Sequence, residues 1–445
     1  MKQEEIDTAQ KRGAYTVTII GCGREGLSFA AEFADAGFRT ILADPDQSAV
    51  KRLGRDRCGI SEREIESKLR SALRSGKLSA TSDLRSAISQ SDAIIVTINP
   101  KIDDKKNVDH AEVEKFLKQI GMNMKRGTVV IYTGIAGFGF MENIVKEALV
   151  NASGLKMGED FGLAYNPIQV AKDTPSPDFT SNLEPKVAAN DKISLNSASA
   201  LIGTITKRKP QQAMNFKIAE LARLFSAARR DANRALTNEL AMFCENAGMD
   251  YLEVLKLVDS QVPAATLTPA SGGEEASEVY VLLDNAEDSE TKLRFARLAR
   301  QMNEDMIKHA VNLAQSALRS CGRTLRRSKI VLVGPTALGT IGEKYAKTLE
   351  AKGARTSSFD PQAKTSERSN SSEKPKRNLT DAAESSDCIV FLEGQEIPKN
   401  LNLKNLKRVM RSPSAIIDLS GALEPEKAET EGFIYRGLGR GARKK

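Results

Sequence analysis

The stretch that decides the fold is YTVTIIGCGREGLSFAAEFADAGFRTILADPD, which runs from Tyr15 to Asp46. An apolar run from Val17 to Ile20 leads into a glycine-rich turn, an alanine-rich segment follows, and a second apolar run ends at Asp44. This pattern predicts a strand, a turn, a helix to about Ala36 and a second strand. That order of elements opens a doubly wound α/β domain.

The turn has the spacing of a dinucleotide-binding site. Gly21 permits a tight turn, Gly23 lets the backbone approach a pyrophosphate, and Gly26 lets the helix pack closely on the strand. Asp44 can accept hydrogen bonds from the adenosine ribose, and its charge would repel a 2′-phosphate, which favours NAD over NADP. The alternative is a glycine-rich turn that holds no ligand.

The same alternation continues beyond this unit. Ser91–Pro100, Gly127–Gly134 and Asp160–Pro167 are predicted to be buried strands of one doubly wound domain that covers residues 14 to about 205. From Asn215 to about Ala247, apolar residues recur every three or four positions, which predicts one long helix. More helix is expected from Glu290 to Ser320.

A second α/β unit begins at SKIVLVGPTALG, Ser328 to Gly339. We therefore predict an α/β protein with two Rossmann-like doubly wound domains joined by a long central helix and a helical middle domain. The predicted divisions are an NAD-binding domain at 1–208, a helical middle domain at 209–322 and a second Rossmann-like domain at 323–445. The polar, serine-rich residues 361–378 are predicted to form a mobile loop.

Composition excludes several classes of function. With two histidines in 445 residues, a histidine-rich metal site or a Ser-His-Asp triad is not expected, and we predict no metal. The net charge of +8 suits an anionic partner, but few aromatic residues accompany the basic clusters, so nucleic-acid binding is not expected. Five scattered cysteines suit a reducing cytoplasm, and neither a signal peptide nor a membrane span is expected.

The sequence resembles the UDP-glucose/GDP-mannose dehydrogenase family over nearly its whole length. The resemblance is carried by GCGREGLSFAAEFADAGF (Gly21–Phe38), GKLSATSDLRSAISQSDAIIVTINP (Gly76–Pro100), SGLKMGEDFGLAYNP (Ser153–Pro167), AELARLFSAARRDANRALTNELAMFCENAGMD (Ala219–Asp250) and GFIYRGLGRG (Gly432–Gly441). It implies NAD as cofactor and a nucleotide sugar (UDP- or GDP-sugar) as substrate. It also implies that 209–322 is a dimerisation domain, with a homodimer built on the central helix, and that 323–445 is a nucleotide-sugar-binding domain. It also implies two successive oxidations of the sugar C6 alcohol, the second through a cysteine thioester, to give a uronic acid.

The catalytic positions that the resemblance implies carry other residues here. Alignment on Gly272 and Gly273 puts Glu275 where the nucleophilic cysteine stands. The family's lysine and asparagine fall on Arg223 and Ala227, and its glutamate after Asn-Pro falls on Ile168, with the next acid at Lys172. The substrate-contacting segment of the last domain is missing from GPTALGTIGE, Gly334 to Glu343. No catalytic residue is therefore assigned, and the four-electron oxidation is not expected.

The cofactor side departs less from the family. Asn99 replaces a threonine and could still hydrogen-bond a ribose or phosphate, and Gly134 stands where a threonine would donate. The expected cofactor contacts are Gly21, Cys22, Gly23, Arg24, Glu25, Gly26, Asp44 and Asn99.

Two functions remain open. The protein is either an oxidoreductase with altered chemistry, in which Glu275 acts as a general base, or a noncatalytic paralogue that serves as a binding or regulatory subunit. Glu275 could equally be a solvated loop carboxylate. Arg223 could be a cation on the helix surface or a contact for an anion.

Overall fold

The computed structural model describes residues 2–54, 63–103, 105–167, 185–258, 276–288, 290–336, 340–360, 378–392, 401–421 and 423–441. They form two compact units, one of Met1–Ala227 with Tyr280–Lys292 and one of Ala228–Val279 with Leu293–Lys445. The predicted division into 1–208, 209–322 and 323–445 stays a prediction. Of the predicted mobile loop, all but the last residue lies outside the described residues.

The strands alternate with helices along most of the chain, as the sequence predicted. The strands are β1 Thr16–Ile20, β2 Arg39–Ala43, β3 Leu78–Thr81, β4 Ala93–Val96, β5 Lys101–Ile102, β6 Val108–Asp109, β7 Val129–Tyr132, β8 Gly162–Tyr165, β9 Lys186–Ala188, β10 Gln211–Ala213, β11 Lys329–Val333, β12 Arg355–Phe359, β13 Cys388–Phe391, β14 Ala415–Asp418 and β15 Ile434–Gly437.

The helices are α1 Ala9–Arg12, α2 Arg24–Asp35, α3 Gln47–Gly54, α4 Arg63–Arg74, α5 Leu84–Ser89, α6 Ala111–Asn123, α7 Glu147–Ser153, α8 Lys192–Gly203, α9 Phe216–Ala247, α10 Tyr251–Leu255, α11 Ala276–Asp288, α12 Arg294–Ser320, α13 Ile341–Ala351, α14 Leu379–Ala383, α15 Leu403–Val409 and α16 Pro425–Thr430. A 3-10 turn spans Gln3–Glu5, and a π-helical turn at Met141–Lys146 runs directly into α7.

The first unit is built on an eight-stranded sheet in the order β10-β9-β8-β7-β4-β1-β2-β3. Its strands pair in parallel except at β8 and β9. Every residue of β1, β4 and β7 is buried, because helices cover both faces of a doubly wound sheet. The strand order reverses direction between β1 and β4, and that switch point is where such sheets bind nucleotides.

The second unit is built on a five-stranded, all-parallel sheet in the order β12-β11-β13-β14-β15. This is the other common doubly wound order, with its switch point between β11 and β13. Apolar side chains of the central strands pack against α12 and α13 on one face and against α14 to α16 on the other. The predicted fold class, two doubly wound α/β domains, is confirmed.

The predicted central helix is present as α9, which is 32 residues long. Its apolar residues fall on two faces: Leu224, Ala227 and Ala235 are buried, whereas Phe225 and Phe243 are exposed. In the part of the chain that the structure describes, no helix has the length and apolar character needed to cross a membrane.

Candidate functional site

The glycine-rich turn between β1 and α2 has the geometry that its spacing predicts. Gly21 has a φ of +111°, which favours glycine, and its N–H donates to the carbonyl of Ala43 at 3.0 Å. A Cβ at Gly26 would lie 1.8 Å from the carbonyl oxygen of Gly21, so only glycine allows α2 to start this close to β1. A Cβ at Gly23 would meet no atom within 4 Å. The open space over Gly23 is where a pyrophosphate would approach the start of α2.

Asp44 lies beside this turn because β2 ends one residue before it. One carboxylate oxygen accepts the N–H of Cys22 at 2.7 Å, and the other accepts the N–H of Asp46 at 2.9 Å. A carboxylate oxygen has room for a second hydrogen bond, so the held side chain can still accept ribose hydroxyls. The turn and Asp44 therefore fit the adenosine diphosphate half of NAD.

Cys22 contributes its backbone N–H to this site, but its thiol is not a nucleophile. Burial, reinforced by the charge of Asp44, raises the pKa of its thiol to about 12. A thiol that stays protonated at neutral pH is a poor nucleophile.

Asn99 follows β4 at the same edge of the sheet. Its side-chain oxygen accepts the N–H of Ile135 at 2.8 Å, so its side chain ties the loop after β7 to the loop after β4. The predicted contact of Asn99 with a ribose or phosphate stays a prediction.

The loop after β7, residues 133–141, is called here the β7 loop. At Gly134, where the family pattern has a threonine, a Cβ would lie 2.5 Å from both the Ile98 carbonyl oxygen and the Tyr132 hydroxyl. Tyr132 is fully buried and donates its hydroxyl between the carbonyls of Ile98 and Ile135. A threonine at position 134 therefore has no room unless both the Ile98 carbonyl and Tyr132 move.

Arg223, at the position implied for the family's lysine, is buried on the inner face of α9 with 4% of its surface exposed. Its Nη1 donates to the carbonyls of Thr133 at 2.7 Å and Gly134 at 2.9 Å. The interpretation of Arg223 as a surface cation is therefore wrong, and its role as an anion contact stays a prediction. Ala227, one turn further on, is fully buried and carries no polar group.

Glu220 belongs to the same site and was not identified from the sequence. It is fully buried, and its two carboxylate oxygens accept the N–H groups of Gly139 at 2.7 Å and Met141 at 2.8 Å. Burial raises the pKa of Glu220 to about 7. A helical projection would have found it, because Glu220, Leu224 and Ala227 share one face of α9.

Helix α11 contributes one more contact to the β7 loop. The side-chain oxygen of Asn285 accepts the N–H of Phe138 at 2.7 Å. The β7 loop is thus held at both ends and in the middle by side chains from the segment after β4, from α9 and from α11.

The acidic segment Glu274–Glu278 is described only from Ala276, where α11 begins. Glu278 is buried and lies 3.4 Å from Arg230 of α9, which neutralises its charge. Glu275, Ile168 and Lys172 lie outside the described residues, so their predicted roles stay predictions.

Three domains of one protein family match successive parts of the chain. The NAD binding domain of the UDP-glucose/GDP-mannose dehydrogenase family matches residues 15–195, the central domain matches 217–305, and the UDP binding domain matches 340–425.

Relatives match over almost their full lengths. The chain is 26% identical over 435 residues to a UDP-N-acetyl-D-mannosamine dehydrogenase of Pyrococcus horikoshii, covering 96% of this chain and 99% of that protein. It is 24% identical over 434 residues to a UDP-N-acetyl-D-glucosamine 6-dehydrogenase of Pseudomonas aeruginosa, covering 93% and 98%.

A solved UDP-D-ManNAc dehydrogenase structure from Pyrococcus horikoshii superimposes with a TM-score of 0.81 and 25% identity, covering 96% of this chain and 99% of that one. The match extends through both doubly wound sheets and the central helix. The chain therefore belongs to the UDP-glucose/GDP-mannose dehydrogenase family, and NAD is its cofactor.

Proposed function

We propose that this protein binds NAD and a nucleotide sugar but does not oxidise the sugar to a uronic acid. The proposal rests on the residue at position 223 and on its contacts. An arginine there is buried and donates to two backbone carbonyls, where the resemblance implies a lysine that takes part in chemistry.

The chemistry of the replaced side chains supports this proposal. An arginine stays protonated at any physiological pH, so Arg223 cannot exchange a proton as a lysine can. Ala227 offers neither a donor nor an acceptor. A carboxylate at position 275 cannot form the thiohemiacetal and thioester that the second oxidation requires.

The nucleotide sugar is proposed from the second unit. Residues 340–425 match a domain described as UDP binding, and the named relatives are dehydrogenases of UDP-linked sugars. The region includes β12, β13 and β14 of the five-stranded sheet, and doubly wound domains take their ligands at the carboxyl edge of the sheet.

Two outcomes at the NAD site are compatible with this proposal. In the first, the protein transfers one hydride between NAD and a nucleotide sugar, with Glu275 as general base. In the second, it binds both molecules and acts as a noncatalytic regulatory or scaffold subunit.

The deciding experiment combines binding with turnover. The wild-type protein would be titrated calorimetrically with NAD and with UDP- and GDP-sugars, then assayed for NADH absorbance and for uronic acid by mass spectrometry. We expect NAD and sugar nucleotide to bind and no uronic acid to form. NADH formation without uronic acid would identify the hydride-transfer function, and binding without NADH the noncatalytic one. Uronic acid production would overturn the proposal.

We also propose that the protein is a homodimer through α9. The outward face of this helix carries Ile218, Phe225, Leu236, Leu240 and Phe243, all exposed, and Phe243 has 71% of its surface exposed. Large exposed apolar side chains that share one face of a helix are typical of a surface that another molecule covers.

The spacing of these side chains favours a second copy of the same chain. Ile218 and Phe225 are seven residues apart, and so are Leu236 and Phe243, so the pattern is the same from either end of α9. Two antiparallel copies related by a two-fold axis would bring Ile218 against Phe243 of the partner subunit, and Phe225 against Leu236 of the partner subunit.

A cytoplasmic location remains a prediction from the cysteine content.

A further inference from the structure

Four side chains hold the β7 loop from outside it. Arg223 donates to the carbonyls at its start, Asn99 accepts the N–H of Ile135, and Asn285 accepts that of Phe138. Glu220 accepts the two N–H groups at its end. Asn99 is exposed and Asn285 is half-buried, whereas Glu220 and Arg223 are buried, so water competes least for the contacts of the α9 pair.

The end of the loop has an additional reason to need Glu220. The chain passes from Phe140 into a π-helical turn at Met141–Lys146 and then into α7. The first N–H groups of a helix have no partner within it, and a carboxylate that accepts one of them acts as a cap. Glu220, from a helix distant in sequence, caps the N–H of Met141 in this way and also accepts the N–H of Gly139, which lies just before the turn. An ion pair of 2.8 Å between Glu142 and Lys217 also joins the turn to α9.

The β7 loop lies on one specific side of the cofactor site. In a doubly wound sheet the first half, β1 to β3, receives the adenosine half of a dinucleotide, and the second half receives the nicotinamide half. The glycine turn and Asp44 belong to the first half. The β7 loop follows the second strand of the second half, at the carboxyl edge of the sheet.

We propose that Glu220 and Arg223 are positioning residues for the nicotinamide half of NAD, which act by fixing the conformation of the β7 loop. Neither side chain contacts the cofactor in this proposal. Each acts through backbone groups of residues 133–141, so α9 sets the shape of the surface on which the nicotinamide rests. The proposal depends on NAD binding and is independent of whether a sugar is oxidised.

The test compares NAD with ADP, which lacks the nicotinamide half. ADP occupies only the first half of the site, whereas NAD occupies both. The full-length protein would be titrated calorimetrically with NAD and with ADP, at a temperature well below the unfolding midpoint of each variant. The variants are Arg223→Met, which removes every donor, Arg223→Lys, which restores one charged donor, and Glu220→Gln. Arg85→Lys, at an exposed site on α5, is the control.

We expect Arg223→Met and Glu220→Gln to weaken NAD binding roughly tenfold, the effect of losing about one hydrogen bond of positioning, while ADP affinity stays within twofold. Arg223→Lys should recover part of the NAD affinity. If NAD and ADP affinities fall together, or if neither changes, the positioning role is overturned. A wild-type protein that binds NAD no more tightly than ADP would overturn it as well.

Asn285→Ala keeps the test decisive if Arg223→Met does not fold. This variant removes one contact of the same loop from a side chain that is only half-buried. It should weaken NAD binding and leave ADP binding unchanged, and equal losses for the two ligands would again count against the proposal.

Discussion

A buried carboxyl group with a pKa near neutrality makes the stability of the first unit depend on pH. Burial raises the pKa of Glu220 from 4.5 to about 7, with the charge of Glu142 adding to the rise and that of Lys217 opposing it. The folded protein then holds this proton more tightly than the unfolded chain does. The contribution of Glu220 is fully present below pH 4.5 and is lost as the pH rises to about 7.

The variant Glu220→Gln cannot titrate, so it isolates this contribution. Between pH 4.5 and 8 the free energy of unfolding of the wild type should fall by about 3 kcal/mol relative to that of Glu220→Gln. Urea unfolding of both proteins across this range measures the difference. Parallel pH profiles would show that Glu220 titrates at its ordinary value in the folded protein.

Two glycines of the cofactor turn have different roles: Gly26 allows close packing of α2, and Gly23 leaves room for the cofactor. In Gly26→Ala the new methyl group would meet the Gly21 carbonyl oxygen at 1.8 Å, so α2 must shift, and we expect a loss of about 3 kcal/mol in the free energy of unfolding. In Gly23→Ala the methyl group enters open space at a φ of −70°, which suits alanine. Its stability should therefore match the wild type.

For cofactor binding, the substitution that matters is Gly23→Ala. The methyl group of Gly23→Ala fills the space that the pyrophosphate needs, so NAD affinity should fall at least about tenfold in a fully folded protein. Calorimetric titration with NAD, alongside urea unfolding, checks both statements. Unchanged NAD affinity in Gly23→Ala would remove the glycine turn from the binding site.

The element with the most specific prediction is α9, whose outward face sets a register for the proposed dimer. With Phe225 opposite Leu236 of the partner subunit, the double variant Phe225→Cys/Leu236→Cys should form disulfide-linked dimers on mild oxidation. In each single variant, identical residues of the two copies would lie about 16 Å apart along the helix axis, too far for a disulfide. Non-reducing electrophoresis distinguishes the three proteins.

The native cysteines provide the baseline for this experiment. Among the described residues Cys22, Cys244, Cys321 and Cys388 are free, and three of them are buried. The wild type, oxidised in parallel, therefore measures background cross-linking. Efficient cross-linking of either single variant would replace the antiparallel register with another one.

The division of the whole molecule can be tested with fragments. The first compact unit includes β10 and the first three turns of α9, which a cut at residue 208 would remove. A fragment of residues 1–227 keeps Glu220 and Arg223 on the β7 loop, whereas 1–208 loses both and an edge strand. We expect the longer fragment to be more stable by about 3 kcal/mol or more, measured by urea unfolding. Equal stabilities would favour a boundary at 208.

Much of the fold could be predicted because its signals are local. The strands before Gly21 and Gly334 are short apolar runs between turn residues, and the long helix shows a repeat of 3.6 residues. β9 and β10 were missed because each is three residues long, and a strand that short has no recognisable period. The antiparallel pairing of β8 with β9 depends on tertiary contacts, which the local sequence does not show.

The candidate site was predictable only where residues close in sequence build it. The glycine turn and Asp44 follow from one βαβ unit. The partners of Arg223 are carbonyls 90 and 89 residues away, and backbone acceptors leave no mark in a sequence. The buried side of α9 is visible in its helical pattern, but which loop it faces is not.

The contacts of positions 134 and 223 bear on how the two residues that the resemblance implies there could be installed by design. A lysine at position 223 would exchange the planar guanidinium that serves two carbonyls of the β7 loop for a compact ammonium. A threonine at position 134 would meet the Ile98 carbonyl oxygen and the Tyr132 hydroxyl. Either substitution alone would disturb the β7 loop, so a design that restores the family pattern needs compensating substitutions in the residues that pack around this loop.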